Sequence, residues 1–150
     1  MSPVAGAMLP PEDAEAAPFW EGARRGELRI QRCPVTGRLI HPPRAFSPFA
    51  AGARPGWARV SGRGRIWSFV VPHPPLVEPF ASLAPYNVVL VELEEDPRIR
   101  LVGNLVEREG GGIDRVDAAA LRIGAPVRVV FEPISDAVHL PRWMPAQEES

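Results

Sequence analysis

Between Ser61 and Glu107 the chain carries three short runs rich in Val, Ile, Leu and aromatics, each cut off by turn-forming residues, and this pattern most limits the folds open to it. The runs are too short for self-supporting helices, and their β-branched and aromatic content favours strands. The first alternates, with Ile66, Ser68 and Val70 on one side and Trp67, Phe69 and Val71 on the other. Neither side is fully polar, so the strand is expected to be covered on most of its length. Val88 to Leu93 is apolar on both faces until Glu92, and Glu94-Glu95-Asp96-Pro97 then turns the chain into Arg98 to Val106. The fixed φ of Pro97 and the solvated carboxylates predict a hairpin there. The stretch reads as the middle of a small β-barrel.

A chain of 150 residues, 45% hydrophobic, can bury one core plus a small appendage. Its net charge of −1 gives no global field toward nucleic acid or membrane. All 17 basic residues are arginine, so every available cation is a bidentate fork. A single cysteine, Cys33, excludes an internal disulfide. No apolar run approaches the ~20 residues of a membrane span, and the first residues lack the basic and apolar regions of a signal peptide. The expectation is a cytoplasmic protein with no membrane partner.

Taken in order, residues 1–12 mix Ala, Gly and Pro without period and are expected to form a mobile tail. Residues 13–26 read as a helix in which Phe19, Trp20 and Ala23 form an apolar stripe, Pro18 begins the second half and Gly26 stands as a C-terminal cap. Phe19 and Trp20 are either core anchors or an exposed docking surface. Residues 27–56 hold an alternating strand, with Leu28 and Ile30 on one side, followed by two hairpin-like knuckles around Cys33-Pro34-Val35-Thr36-Gly37 and Phe46-Ser47-Pro48-Phe49-Ala50. Knuckles with so little core of their own normally need a metal. Residues 57–145 supply the barrel. Gly62 and Gly64 permit a bulge or sharp coil, Gly103 a bend, and Asp114–Leu121 a short helix. Strands follow over Arg122–Glu132, with Val127, Val129 and Phe131 inward, and over Ala137–Trp143. About five strands with one helical turn suit a Greek-key OB barrel, and 146–150 close the chain as a second tail.

Several of these pieces occur together in one family. Phe19-Trp20-Glu21-Gly22, Gly26-Glu27-Leu28, Gln31-Arg32-Cys33, Gly37-Arg38 and Pro42-Pro43-Arg44 resemble the opening of the zinc-ribbon plus OB-fold family associated with acyl-CoA enzymes, domain of unknown function 35. The resemblance continues through Ser61-Gly62-Arg63-Gly64, Tyr86 to Leu93, Gly103-Asn104-Leu105-Val106, Ile123 to Val127, Val129 to Glu132 and Leu140 to Trp143, in the family's order. It implies a mainly β protein: an N-terminal helix, a rubredoxin-like zinc-ribbon knuckle and a five-stranded OB barrel. The family's ribbon carries Cys-x2-Cys, about ten residues, then Cys-x2-Cys; the matching positions here are Cys33, Thr36, Ser47 and Ala50. One thiol, two weak hydroxyls and a methyl make no tetrahedral zinc site, and His41 adds only a second ligand. The ribbon is therefore expected to be degenerate and metal-free, held by Leu39, Ile40, Phe46 and Phe49, with Cys33 a relic thiol.

The resemblance also implies a role. The family works beside thiolase-superfamily partners, including steroid side-chain aldolases, acyltransferases and thiolases, and beside hydratase-like domains. By that likeness the chain is a non-catalytic accessory subunit that binds a thiolase-like enzyme and helps bind or present its acyl-CoA. The residues agree in offering little catalysis. His41, His73 and His139 are widely spaced, no nucleophile elbow or P-loop occurs, and nothing in the spacing asks Cys33 to work with His41 or His73 as nucleophile and base, the pair that an independent acyl-CoA hydrolase would need. The long connection Pro72–Pro85 is either a binding segment or a cover for one barrel end. As a binding segment it offers Leu76, Phe80 and Leu83, with Phe19 and Trp20, for partner docking. Arg63, Arg65, Trp67 and His73 are the candidates for the CoA path. A reading from another class is a single-stranded nucleic-acid module, with Trp57, Trp67, Phe69 and Tyr86 as stacking platforms and Arg63 and Arg65 on phosphate. The near-neutral charge argues against it.

Overall fold

The computed structural model describes residues 9–10 and 13–147, so most of both expected tails lies outside the described residues. The chain runs through α1 (Ala17–Arg24), β1 (Arg29–Arg32), β2 (Leu39–Ile40), β3 (Gly56–Arg59), β4 (Arg63–Val70), α2 (Phe80–Leu83), β5 (Val88–Leu93), β6 (Arg100–Gly103), a 3-10 turn (Ala118–Ala120), β7 (Pro126–Pro133) and β8 (His139–Pro145). The strands form two antiparallel sheets, in the orders β2-β1-β3 and β6-β5-β4-β7-β8. A parallel bridge from Leu105 to Trp143 then joins the chain just past β6 to β8 and curls the larger sheet toward closure. Order and closure together are those of an OB fold.

The apolar alternation of the barrel strands explains what sits inside. Val89, Val91 and Leu93 of β5 are buried, as are Ile66, Leu101, Leu105, Val127 and Trp143. Leu28, just before β1, and Ile30 and Leu39 of the smaller sheet belong to the same cluster, so ribbon and barrel share one core. Each such side chain contributes roughly 1.5–3 kcal/mol on burial. Val127 is buried, with Val129 and Phe131 packed partly against that core, as the alternation requires.

The first barrel strand departs from simple alternation. A bulge between Ile66 and Ser68 leaves Ile66 opposite Val91 but shifts Phe69 opposite Val89. The extra residue is Trp67, and Phe69 rather than Ser68 continues the inner face. Gly64 is required where β4 crosses β5, because a Cβ there would lie 2.3 Å from the Glu92 carbonyl oxygen. At the end of β6, Gly103 makes room for the Trp143 indole, whose Nε1 would stand 2.8 Å from an added Cβ.

Helix α1 is shorter than expected, one turn having been lost at its start, and Pro18 occupies its first turn. It ends in a Schellman turn: Gly26 N donates to the Ala23 carbonyl (3.1 Å) and Glu27 N to the Gly22 carbonyl (2.8 Å). The helix packs on β1, β7 and β8, and Arg24 Nη1 donates to the Ala137 carbonyl at 2.9 Å.

The ribbon is held differently from the expectation. Leu39 and Ile40 are buried, but Phe46 is 52% exposed and Phe49 is half-buried under the Arg38 guanidinium, 3.9 Å from its ring centre. Polar side chains do the work assigned to Phe46. Buried Gln31 donates to the Arg44 carbonyl (3.0 Å) and accepts from Arg44 N (2.8 Å), an amide staple across the loop. Cys33 is fully buried, and desolvation pushes its thiol up. Hydrogen bonds from the Ser47 and Thr36 side chains and the Thr36 and Val35 backbone outweigh that and lower it from 9.0 to about 7. Burial alone lowers His41 from 6.5.

At the opposite end of the barrel the connection between β4 and β5 folds back. Phe80 of α2 packs on Tyr86, ring centres 5.7 Å apart, and Leu83 and Tyr86 cover a second cluster of Val106, Ile113 and Val130. Beneath it, buried Asn87 joins three segments. Its Oδ1 accepts from Leu105 N (2.5 Å), and its Nδ2 donates to the carbonyls of Leu105 (2.8 Å) and Ile113 (2.9 Å). Asn104 Nδ2 donates to the Asn87 carbonyl (2.5 Å) and its Oδ1 accepts from Arg142 Nη1 (2.5 Å), while Arg142 Nε pairs with Glu132 (2.7 Å).

Asn87→Leu strands the backbone N–H and carbonyl of Leu105 without partners, while the Ile113 carbonyl keeps its bond from the residue 87 N–H, and urea denaturation should show about 2–4 kcal/mol of lost stability. The ribbon generates a pH prediction. A thiol whose folded-state pKa lies below its unfolded value adds stability that is complete above 9.0 and fades as pH falls through about 7. His41, also lowered, adds a second loss as pH falls below 6.5. Melting temperature should therefore drop on acidification from pH 9, and Cys33→Ala should flatten the upper part of that slope. An unchanged slope in the variant would dissociate it from the thiol.

Candidate functional site

The bulge in β4 decides what the outer face of the barrel presents. With Ile66 and Phe69 turned inward, Trp67 and Val70 point out, and the register carries the same face across Val88 and Leu90 of β5 to Arg100 and Val102 of β6. Trp67 is 43%, Val70 58% and Val102 66% exposed, with half-buried Leu90 between Ser68 and Val102. Arg100 lies over the Trp67 ring, 3.8 Å from its centre, a contact of about 0.5–1 kcal/mol at an exposed position. Arg65, Glu92 and Arg100 form an alternating charged row that borders the apolar patch. The expected cover over this strand is not supplied by the described residues.

The sequence candidates fall in several places. Arg63 and Arg65 line one groove of about 460 Å³ with Glu92, Glu94 and Gln147. Arg65 Nη1 donates to the Gly124 carbonyl at 2.9 Å and Arg63 Nη2 to the Gln147 carbonyl at 3.4 Å. Trp67 stands on the bordering face, and His73 is exposed just past the end of β4. Leu76, Phe80 and Leu83 are half-buried, Phe80 and Leu83 on the barrel end, so the connection acts there as a cover; its outward residue is Val77, 76% exposed. Phe19 meets Trp20 edge-on, centres 5.0 Å apart, and packs against the main core. Trp20 flanks a groove of about 410 Å³ with Ala17, Arg24 and Val138.

The nucleic-acid platform does not assemble. Trp57 lies in the ribbon sheet, Trp67 faces outward, Phe69 packs on the core, and Tyr86 sits under Phe80. Nor does Cys33 present a nucleophile, being fully buried. Val70, Arg100 and Val102 escaped the sequence reading. Their one visible signal is that Val102 is an apolar residue on the outward parity of a strand beginning Arg100-Leu101, and the parity of Val70 became readable only once the bulge was located.

Comparison with known proteins agrees with both halves of the architecture. Residues 20–46 match the ChsH2 rubredoxin-like zinc ribbon domain and residues 57–132 the ChsH2 C-terminal OB-fold domain. The chain is 36% identical over 136 residues to the 3-oxo-4,17-pregnadiene-20-carboxyl-CoA hydratase alpha subunit of Mycobacterium tuberculosis, covering 91% of this chain and 38% of that one. It thus spans about two fifths of that relative's length. It is 31% identical over 116 residues to a DUF35 domain-containing scaffold protein of Methanothermobacter thermautotrophicus, covering 75% and 77%. Among solved structures, a chain of the Ltp2-ChsH2(DUF35) aldolase superposes with a TM-score of 0.77 at 31% identity, covering 93% of this chain and all of that one. The zinc named for the ribbon is not matched by the residues present. No group of three or more His, Cys, Asp or Glu able to hold a metal occurs among the described residues, and the ligand positions hold Cys33, Thr36, Ser47 and Ala50. With its fold, both domain matches and the scaffold relative in agreement, the chain belongs to the DUF35 family, as a ChsH2-type protein of ribbon and OB fold.

Proposed function

We propose that this chain is a non-catalytic accessory subunit that docks on a thiolase-like enzyme and helps bind or present its acyl-CoA substrate. The observation that carries the reading is the bare outer face of β4, β5 and β6, where Trp67, Val70 and Val102 leave contiguous apolar surface toward solvent. Surface of this kind, rimmed by charge, marks a protein-binding site more often than it marks idle exterior. Trp67 under Arg100 supplies the aromatic and arginine pairing that concentrates binding energy at interfaces.

The similar proteins support the direction. One is a subunit of a hydratase named for a CoA thioester, one a scaffold protein, and one belongs to an aldolase whose name joins two components. The chain's own chemistry points the same way, since its one thiol is sealed and its histidines are dispersed. In this reading the partner supplies nucleophile and base. Arg63 and Arg65, forked cations beside the docking face, are the groups suited to CoA phosphates. A cytoplasmic location goes with that role.

The direct test is gentle purification of the tagged chain from its native cells with mass spectrometry of whatever accompanies it. A thiolase-like polypeptide in roughly stoichiometric amount is expected; recovery of the chain alone, or with nucleic acid, refutes the reading. Val70→Asp and Val102→Asp, both on exposed positions, should shift stability by no more than about 0.5 kcal/mol. The same variants should weaken partner affinity at least tenfold, about 1.4 kcal/mol, by isothermal titration. Undiminished affinity would remove this face from the interface.

A further inference from the structure

We propose that the outer edge of β6 takes up an extended segment of the partner enzyme as an added antiparallel strand, one that reads apolar, any residue, acidic as it passes Val102 and then Arg100. This rests on the docking reading and specifies how the docking is made.

The parity of the ladder defines the edge. Leu93 N donates to the Ile99 carbonyl at 3.0 Å, so residues 93 and 99 form a hydrogen-bonded pair. In an antiparallel ladder such pairs alternate with pairs whose backbone groups point away from each other. Carried along the register, this makes Leu101 with Val91 and Gly103 with Val89 the bonded pairs, and Arg100 with Glu92 and Val102 with Leu90 the others. The N–H and C=O of Arg100 and of Val102 therefore point away from β5, on the outermost strand of the sheet. None of these four groups has a partner among the described residues. Strand β8 approaches the far end of β6, where the Trp143 indole lies against Gly103 and Leu105 bridges to Trp143. Ahead of that point Arg100 and Val102 are exposed, Val102 to 66%. Sheet edges are commonly guarded by a charged side chain held over them. The charge that could guard this one is turned back across β5, with the Arg100 guanidinium 3.8 Å from the centre of the Trp67 ring.

The side chains already in the sheet dictate what the next strand carries. Residues directly opposite one another share a face and interact. One row across β4, β5 and β6 is Arg65, Glu92 and Arg100, alternating in sign; another is Ser68, Leu90 and Val102, ending apolar. An added strand extends the first row with a carboxylate beside Arg100 and the second with an apolar side chain beside Val102. Running antiparallel to β6, it meets Val102 first, which sets the order of the motif. Strand β5 has this order in Leu90-Val91-Glu92, against the opposite flank of the same two residues. A second copy of this chain pairing through its own β6 would bring Arg-Leu-Val-Gly, with no carboxylate for Arg100, so a different polypeptide fits the edge better. Main-chain bonds then supply affinity, and the two outward positions supply selectivity.

The test separates backbone pairing from side-chain contact. Val102→Pro removes an N–H that β5 does not use, so the ladder to β5 survives, whereas Val102→Ala trims the side chain and keeps the N–H. Titrated against the thiolase-like enzyme recovered with the chain, Val102→Pro should bind about tenfold more weakly than Val102→Ala. Equal affinities of the two variants overturn strand addition and leave the docking reading standing. Should Val102→Pro lose the parent's circular dichroism, hydrogen exchange of the parent at single-amide resolution decides. The Arg100 and Val102 amides should exchange about tenfold more slowly in the complex than in the free chain, with Leu101 and Gly103 slow in both. Unchanged exchange at 100 and 102 within an intact complex overturns the proposal. Protection of those amides in the partner-free chain, rising with its concentration, gives the edge to a second copy and overturns the assigned occupant. A chain that enters no enzyme complex removes the docking reading and this proposal with it.

Discussion

Closure of the barrel rests on one buried amide. Asn87 sits immediately before β5 and replaces, with its side chain, the ladder bonds that a sheet cannot make where strands part. Without it the N–H and carbonyl of Leu105 have no partner at the point where the segment after β6 must leave β5 and approach β8. Asn104 passes the connection on to Arg142, and Arg142 is neutralised by Glu132, so the network runs from β5 to β7 through groups that each have a partner. A polar network in a core is stabilising only under that condition. Trp143 fills the space between the closing strands, and Gly103 is small because the indole is there.

Everything outside the barrel depends on that closed surface. The ribbon has too few residues for a core of its own and lends Leu28, Ile30 and Leu39 to the barrel's. This sharing lessens what a metal would have to contribute, because the strands are already fixed at one end by apolar burial and only the knuckles need a clamp. The connection over Phe80 and Tyr86 seals the other end. The sealed faces leave the outer side of β4, β5 and β6 as the apolar surface without cover among the described residues, which is why the functional reading settles there.

Much of this was legible in the residues. The alternation of Val89, Val91 and Leu93, the turn at Pro97 and the family likeness from Phe19 onward suffice for an OB barrel preceded by a ribbon. The site was less legible, for definable reasons. Strict alternation placed Phe69 beside Trp67, but a single bulged residue reverses parity beyond it, sending Phe69 inward and Val70 outward. Phe46 was assigned to a core by its hydrophobicity, yet the knuckle is too small to enclose it, and a glutamine amide holds the loop instead. Leu76, Phe80 and Leu83 are partner candidates in the sequence because a long connection often binds one, and the structure packs Phe80 on Tyr86 and Leu83 on the second apolar cluster.

What the sequence by itself determined is the class of fold and the loss of the metal ligands, since strand periodicity and ligand chemistry are local properties readable from neighbouring residues. Which apolar side chains are spent on the core and which are left for a partner was decided only by the tertiary structure. That division depends on register and closure, where one inserted residue in β4 and one amide before β5 set the surroundings of side chains far apart in the chain.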